Sequence, residues 1–230
     1  MAQAHTSVDS IVADIQCIAA QQEKLTVEEC KSMAQAWVDS IPQSDMLAYA
    51  AQAQKILYPP YSTPKGRATY RLLLERLLQS GDDELALLRY RYMYESLCEN
   101  NEGDIATDFV YYDVDGNENT LHHHRGHKIL IIFNDPECEE CATLRHHIIT
   151  QGTLRDTPID DGTIVMVIYP DEPTEIWREA VVHYPATWVV GYSEDVSDVY
   201  DLRTLPSTYL LDENHSILLR DAHTYITEIK

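Results

Sequence analysis

The most restrictive feature of the chain is an apolar run, Ile129–Phe133, that is followed within a few residues by Cys138 and Cys141. A short, continuous apolar run predicts a strand that is buried on both faces of a sheet. The segment 138–151 is predicted to be a helix, so both thiols lie on one helical face, close enough to form a disulfide. Backbone N–H groups at a helix start stabilise a thiolate. The pattern therefore predicts thiol–disulfide chemistry, with Cys138 as the nucleophile and Cys141 as the resolving thiol.

Composition and charge limit the remaining possibilities. The chain has 230 residues, 44% of them hydrophobic, which is enough for a real core in one or two domains. The formal net charge of −21 argues against binding nucleic acid or anionic lipid through a basic surface. Residues 1–100 carry a net charge of −4 and the remainder −17. This asymmetry favours two domains, which we place at 1–102 and 103–230.

The two halves differ in their hydrophobic periodicity. The first half predicts a small bundle of four or five helices, and Thr26 with Glu29 has the spacing of a helix capping box. The second half predicts an α/β domain with a central mixed sheet. Its predicted strands are 108–114, 118–122, 128–134, 163–169, 188–190, 205–212 and 217–221, and its predicted helices are 138–151 and 173–183.

Three further cysteines, Cys17, Cys30 and Cys98, fall within the helical patterns of the first half. Five cysteines in all are too few for a disulfide-stapled scaffold, and the number is odd. We interpret these three as small, buried apolar side chains.

The second half resembles the thioredoxin superfamily, and within it the extracytoplasmic TlpA/ResA-like thiol–disulfide oxidoreductases. The resemblance rests on a strand, a C-x-x-C at the next helix start, and Leu205-Pro206-Ser207 before a later strand. It covers about 103–230 and implies a thioredoxin-like fold whose redox group is a disulfide, with no bound cofactor and no metal. A cis Pro206 would face the cysteines and let the Leu205 backbone pair with a substrate chain.

The same resemblance implies partners and a compartment. The substrates would be protein thiols or disulfides, contacted by Leu205, Pro206, Pro136 and Glu137, and a redox partner protein would regenerate the pair. The helical half is similar to the helical segment that precedes the thioredoxin module in some secreted proteins of gut bacteria, and we expect it to position partners or to form a homodimer. We expect a periplasmic or secreted protein. Because the first residues lack a signal-peptide pattern, we expect that peptide to lie outside the given sequence.

The sequence departs from this family around the cysteines themselves. Glu137 precedes Cys138, and Glu139 and Glu140 separate the two cysteines, where the family has a tryptophan and neutral or basic residues. In water at about 6 Å, each carboxylate disfavours a thiolate by roughly 0.7 kcal/mol. The glutamates therefore tune the pair towards a reducing couple, which favours reduction or isomerisation of disulfides over their formation.

Two alternatives remain open at this stage. The first is a thioredoxin-fold binding module with little catalysis, since fold alone does not determine activity. The second is a copper or zinc protein that uses Cys138 and Cys141 together with nearby histidines. In the predicted strand geometry, His122 and His124 share a face. The candidate histidines are His122, His123, His124, His127, His146 and His147.

Overall fold

The computed structural model describes residues 6–59, 62–79, 84–154, 157–160 and 162–221. It divides the chain into two compact units, Met1–Cys98 and Glu99–Lys230. The sequence placed the corresponding boundary between residues 102 and 103.

The first unit is helical, as predicted. Its described helices are α1 (Val8–Gln22), α2 (Val27–Ser40), α3 (Met46–Leu57), α4 (Pro64–Leu78) and α5 (Glu84–Cys98). The capping box is present at the start of α2: the Thr26 hydroxyl accepts from the Glu29 backbone N–H, and the Glu29 carboxylate accepts from that of Thr26. The helices enclose one apolar core that includes Ile15, Val38 and Tyr70.

Of the three cysteines of this unit, only Cys30 is buried, whereas Cys17 and Cys98 are exposed. The prediction of burial was therefore wrong for two of them. In α1 the buried residues recur at 11, 15, 18 and 22, and position 17 lies off that stripe. Cys98 is the last residue of α5, one position beyond the buried Leu97.

The second unit is a mixed sheet flanked by helices, which confirms the predicted thioredoxin-like fold. Within the described residues, no helix combines the length and the apolarity needed to cross a bilayer. The helices are α6 (Glu139–Gln151) and α7 (Glu175–Val181). The strands are β1 (Val110–Asp113), β2 (Glu118–Thr120), β3 (Ile129–Phe133), β4 (Thr153–Leu154), β5 (Thr157–Pro158), β6 (Ile164–Tyr169), β7 (Val189–Tyr192), β8 (Ser207–Leu211) and β9 (Ile217–Arg220).

Seven of these strands form one sheet in the order β2-β1-β7-β6-β3-β8-β9, and β4 pairs only with β5. Strand β3 lies between β6, to which it is parallel, and β8, to which it is antiparallel. All five of its residues are buried, because Leu130 and Ile132 pack on one face while Ile129, Ile131 and Phe133 pack on the other. Covering both faces of the strand explains why its sequence is continuously apolar.

The histidine-rich segment differs from its prediction. Strand β2 ends at Thr120, and Leu121–His124 is a turn of 3-10 helix. The prediction that His122 and His124 share one face of a strand was therefore wrong. The cause is local: Leu121 is fully buried, and the Thr120 side chain and the His123 ring cap this turn reciprocally.

Candidate active site

The register of two strands brings the cysteines and the proline loop together. Phe133, the last residue of β3, lies opposite Ser207, the first residue of β8. The chain that leaves β3 towards Cys138 and the chain that enters β8 through Pro206 therefore meet at the same end of the sheet. The Leu205–Pro206 peptide bond in this loop is cis.

Cys138 caps the N-terminus of α6. Its Sγ accepts a hydrogen bond from the backbone N–H of Cys141 at 3.2 Å, and its thiol faces the carbonyl oxygen of Leu205 at 3.5 Å. A turn fixes this position, since the Cys138 N–H donates to the carbonyl oxygen of Asp135. Cys138 is half-buried, with its sulfur beside the proline loop.

Cys141 lies one turn further along α6 and is 1% exposed. Both thiols are free, and no disulfide joins them in this structure. Burial raises the pKa of the Cys141 thiol far above its usual value, and the hydrogen bond with Cys138 acts in the same direction. The two cysteines are thus unequal: one is accessible at a helix start, and the other is held protonated in the interior.

The acidic residues of the motif flank Cys138 along the chain. Glu137, Glu139 and Glu140 are exposed, and Pro136 is half-buried in the loop before them. The Glu137 N–H donates to the side chain of Asp135 at 2.8 Å. Glu139 and Glu140 occupy the first turn of α6, where carboxylates also stabilise the helix.

A polar cluster that sequence reasoning missed lies on the inner side of the pair. The side-chain amide of Asn134 donates to the Tyr184 hydroxyl at 2.9 Å, and the Arg145 guanidinium lies 5.0 Å from the centre of the Tyr184 ring. Burial raises the pKa of Tyr184, and the nearby Cys141 adds to that shift. Asn134 directly follows β3, but nothing local in the sequence connects it to a tyrosine fifty residues later.

A second missed group anchors the proline loop. The buried Arg220 guanidinium, on β9, donates to the Asp201 carboxylate at 3.1 Å and lies 3.6 Å from that of Asp221. Asp201 also accepts from Arg203 at 2.7 Å. Asp201 lies a few residues before Pro206, and Arg220 lies on β9, the edge strand. This network therefore holds the segment before the proline loop against the edge of the sheet.

The histidines lie at the other end of β3. His122, His123, His124 and His127 precede the strand, whereas the cysteines follow it, and His146 is exposed on α6. The side chain of His147 instead meets the Thr153 hydroxyl at 3.2 Å. Across the part of the chain that the structure describes, no three His, Cys, Asp or Glu side chains are arranged to hold a metal ion.

Comparisons of sequence and structure identify proteins to which the chain is similar. No protein-family profile matches the chain. The thiol–disulfide oxidoreductase ResA of Geobacillus kaustophilus is 24% identical over 117 residues, which cover 50% of this chain and 66% of that protein, just under two thirds of its length.

Two solved structures extend this result. A thioredoxin-like protein from Bacteroides caccae superposes with a TM-score of 0.71 at 24% identity, covering 89% of this chain and 78% of that one, which shows the fold. The C-terminal domain of an uncharacterised protein from Bacteroides fragilis has a TM-score of 0.50 at 29% identity, covering 56% of this chain and 95% of that one.

Proposed function

We propose that this chain, a ResA-like homologue with a thioredoxin-like fold, is a thiol–disulfide oxidoreductase that reduces or isomerises disulfides in other proteins. The observation that carries the proposal is the placement of Cys138. Its half-buried sulfur lies at a helix start, against the carbonyl oxygen of Leu205, with a buried second thiol one turn away. An accessible thiol backed by an inaccessible one is the arrangement that a two-step exchange needs.

The reaction has two steps. The Cys138 thiolate attacks one sulfur of a substrate disulfide, the substrate S–S bond breaks, and the departing sulfur takes up a proton. Cys141 then loses its proton to solvent and attacks Cys138 Sγ, which forms the Cys138–Cys141 disulfide and releases the second substrate thiol. Two electrons pass from the chain to the substrate. A dithiol on a redox partner protein returns them by the same exchange in reverse.

The raised pKa of Cys141 separates the two steps in time. Because burial keeps this thiol protonated, it does not compete with Cys138 for the incoming disulfide. The mixed disulfide therefore persists until Cys141 is deprotonated. In that interval a second thiol of the substrate can attack instead, which is the route to isomerisation.

The carboxylates of the motif support a reducing role. Glu139 and Glu140 follow Cys138 in the first turn of α6, so exposed negative charge lies next to the reacting cysteine in sequence. A couple whose thiolate is less stabilised favours the disulfide form, and so gives up electrons more readily.

In this proposal, the loops around Cys138 bind the substrate. The Leu205 backbone lies beside the sulfur that reacts, so an extended substrate segment can pair with it. Pro206, Pro136 and Glu137 complete the contact surface. We further propose that the chain acts outside the cytoplasm, and that its helical unit positions partners or forms a homodimer.

The test is turnover of a protein disulfide, with insulin as substrate and dithiothreitol as the final reductant. Cys138→Ser should reduce the rate to the uncatalysed level, and Cys141→Ser should accumulate a covalent mixed disulfide. Cys17→Ser and Cys98→Ser are matched controls, because they remove exposed cysteines outside the pair and should retain the wild-type rate. Equal rates for wild type and Cys138→Ser would instead indicate a binding module.

A further inference from the structure

A pocket of about 380 Å³ lies at β7, formed by side chains that the proposed exchange reaction does not use. Its volume is at the lower end of the range of ligand pockets, roughly 300–1,000 Å³. Most of its lining is aliphatic or aromatic. The lining includes Asp113, Val114, Tyr184, Trp188, Val189 and Val190.

The pocket is a gap in the sheet. Val189 and Val190 are consecutive in β7, and both line the pocket. The pairing agrees: Gly191 and Tyr192 pair with β1, whereas Val189 and Val190 pair with β6 alone.

The gap arises because β1 ends early. Asp113 is the last β1 residue to pair with β7, and the chain turns away at Val114. Gly191 allows β1 to come close up to that point, since a Cβ there would lie 2.5 Å from the Tyr112 carbonyl oxygen. Beyond Asp113, Val189 and Val190 of β7 have no neighbour on the β1 side among the described strands.

The backbone N–H of Val190 is directed into the gap. The Ser193 N–H donates to the Tyr169 carbonyl oxygen, on β6. Backbone groups alternate in direction along a strand, so those of Gly191 and Val189 also face β6, and those of Tyr192 and Val190 face the β1 side. Tyr192 meets β1 there. Val190 therefore directs its backbone N–H into the gap, whereas its carbonyl oxygen faces the Val114 N–H that flanks the Asp113–Gly191 pair.

The charge of the rim is negative. Asp113 is the only charged side chain in the lining as described, and Asp115 and Glu118 are exposed on the same hairpin. Hydrogen bonds from Asn117 lower the pKa of Asp113, so this carboxylate stays ionised at neutral pH. An occupant of this site should therefore carry positive charge next to its apolar part.

We propose that this gap binds an extended, basic segment of a partner protein, which pairs with the Val190 backbone and places aliphatic side chains in the pocket. An extended peptide supplies both the backbone groups and the alternating side chains that an open strand edge accepts. Lysine or arginine beside the apolar positions would meet the hairpin carboxylates. This inference does not depend on the exchange reaction proposed for the cysteines.

The experiment titrates the full ¹⁵N-labelled chain with a capped pentapeptide of sequence lysine–valine–threonine–valine–lysine and follows the amide signal of Val190 by NMR. We expect a saturable shift at Val190. A probe with glutamate in place of both lysines should bind about a hundredfold more weakly, since each replacement turns an attraction to the hairpin carboxylates into a repulsion. A probe whose three central amide nitrogens are methylated should not bind, because the methyl groups keep its backbone from pairing with the strand edge.

Val114→Trp fills the gap from the hairpin side and should weaken binding of the lysine probe at least about tenfold, or ~1.4 kcal/mol. Leu218→Trp is the matched control, at a similarly exposed position on β9 (43% exposed, against 51% for Val114). It should leave the affinity unchanged. Tyr184 is left intact in both variants because it also contacts Asn134 beside the cysteines.

Four results would overturn the proposal. The Val190 amide signal could fail to shift at millimolar peptide, or the shifts could be confined to the Cys138 loop. Wild type and Val114→Trp could bind the lysine probe equally well, or the methylated probe could bind wild type as well as the unmethylated one. Unfolding midpoints of the two tryptophan variants establish that both are folded. Because none of these measurements involves turnover, failure here is separate from failure of the insulin assay.

Discussion

The two ends of β3 carry two kinds of titratable cluster. At the redox end, beyond Phe133, lie Cys138 and Cys141. At the histidine end, before Ile129, lie His122 and His124, joined from the β8–β9 turn by His215, whose ring centre is 5.6 Å from that of His122. Both clusters drew attention in the sequence as possible sites of chemistry.

The surroundings of the two clusters distinguish them. Cys138 reaches the surface and faces a backbone carbonyl, so a partner can approach its sulfur. The histidine rings are instead used within the protein: His124 meets the Tyr111 hydroxyl at 2.8 Å, and His122 meets the Asp108 carboxylate at 3.2 Å. His215 is fully buried. Two clusters of titratable residues thus have different surroundings: the cysteine end is accessible to a partner, whereas the histidine rings make contacts within the protein.

The largest stability effect that we expect belongs to the redox end. Arg220→Met keeps the bulk of the side chain but leaves the carboxylates of Asp201 and Asp221 without their buried cation, which should cost about 3 kcal/mol of unfolding free energy. Arg203→Met is the control, because its side chain is half-exposed and its ion pair should be worth at most about 1 kcal/mol. Urea denaturation measures both. Equal losses would show that the buried network does not anchor the loop.

A smaller effect is kinetic. Because burial raises the pKa of Cys141, the fraction of its thiolate increases with pH throughout the neutral range. Resolution of a preformed mixed disulfide on Cys138 should therefore accelerate about tenfold per pH unit, or ~1.4 kcal/mol. Single-turnover release of a labelled peptide thiol between pH 6 and 8 tests this. A rate independent of pH would mean that Cys141 is not the limiting thiol.

The smallest effect concerns the histidine end. Burial lowers the pKa of His215 and outweighs a hydrogen bond with the His124 backbone, which raises it. The charges of His122 and Arg125 act in the direction of burial, and that of Asp108 acts against it. The unfolded chain then binds more protons than the folded one, so this contribution to stability is present above about pH 6.5 and is lost as the pH falls below it. His124 is shifted in the same direction by its own burial.

His215→Phe removes the titrating group and keeps a ring in its place. The variant should lose less stability than wild type between pH 7.5 and 5.5, because its unfolded chain no longer takes up the proton that the buried ring resists. Denaturation at the two pH values measures this. His146→Gln, at an exposed position on α6, is the control and should leave the pH dependence of wild type unchanged. Parallel profiles for wild type and His215→Phe would contradict the role assigned to this histidine.

The comparison also shows what the sequence could predict. The strand at Ile129–Phe133 and the helix start at Cys138 were accessible because apolar runs and residue spacing are local signals. The polar contacts around them were not. Asn134 meets Tyr184, and Arg220 meets Asp201, only after the sheet has assembled, and neither pair has a signature in local sequence.

Local patterns also misled in places. The sequence predicted a strand over 118–122, but burial of Leu121 turns the segment from Leu121 onward into a 3-10 helix. The gap beside Val190 could not be foreseen either, since it depends on where β1 stops pairing with β7. The first feature depends on the burial of Leu121 and the local caps of its turn, and the second on pairing between segments far apart in the chain. Hydrophobic periodicity reports neither.

The central claim, that Cys138 and Cys141 form a reducing redox pair, is tested most directly by the reduction potential of the chain. Equilibration with glutathione and dithiothreitol buffers, followed by peptide mass analysis, gives the fraction in which these two cysteines are joined. We predict a single two-electron transition confined to this pair, at a potential below the roughly −180 mV of protein disulfide isomerase. A potential near the ~−120 mV of a strong oxidant, or no disulfide between these cysteines, would contradict the account.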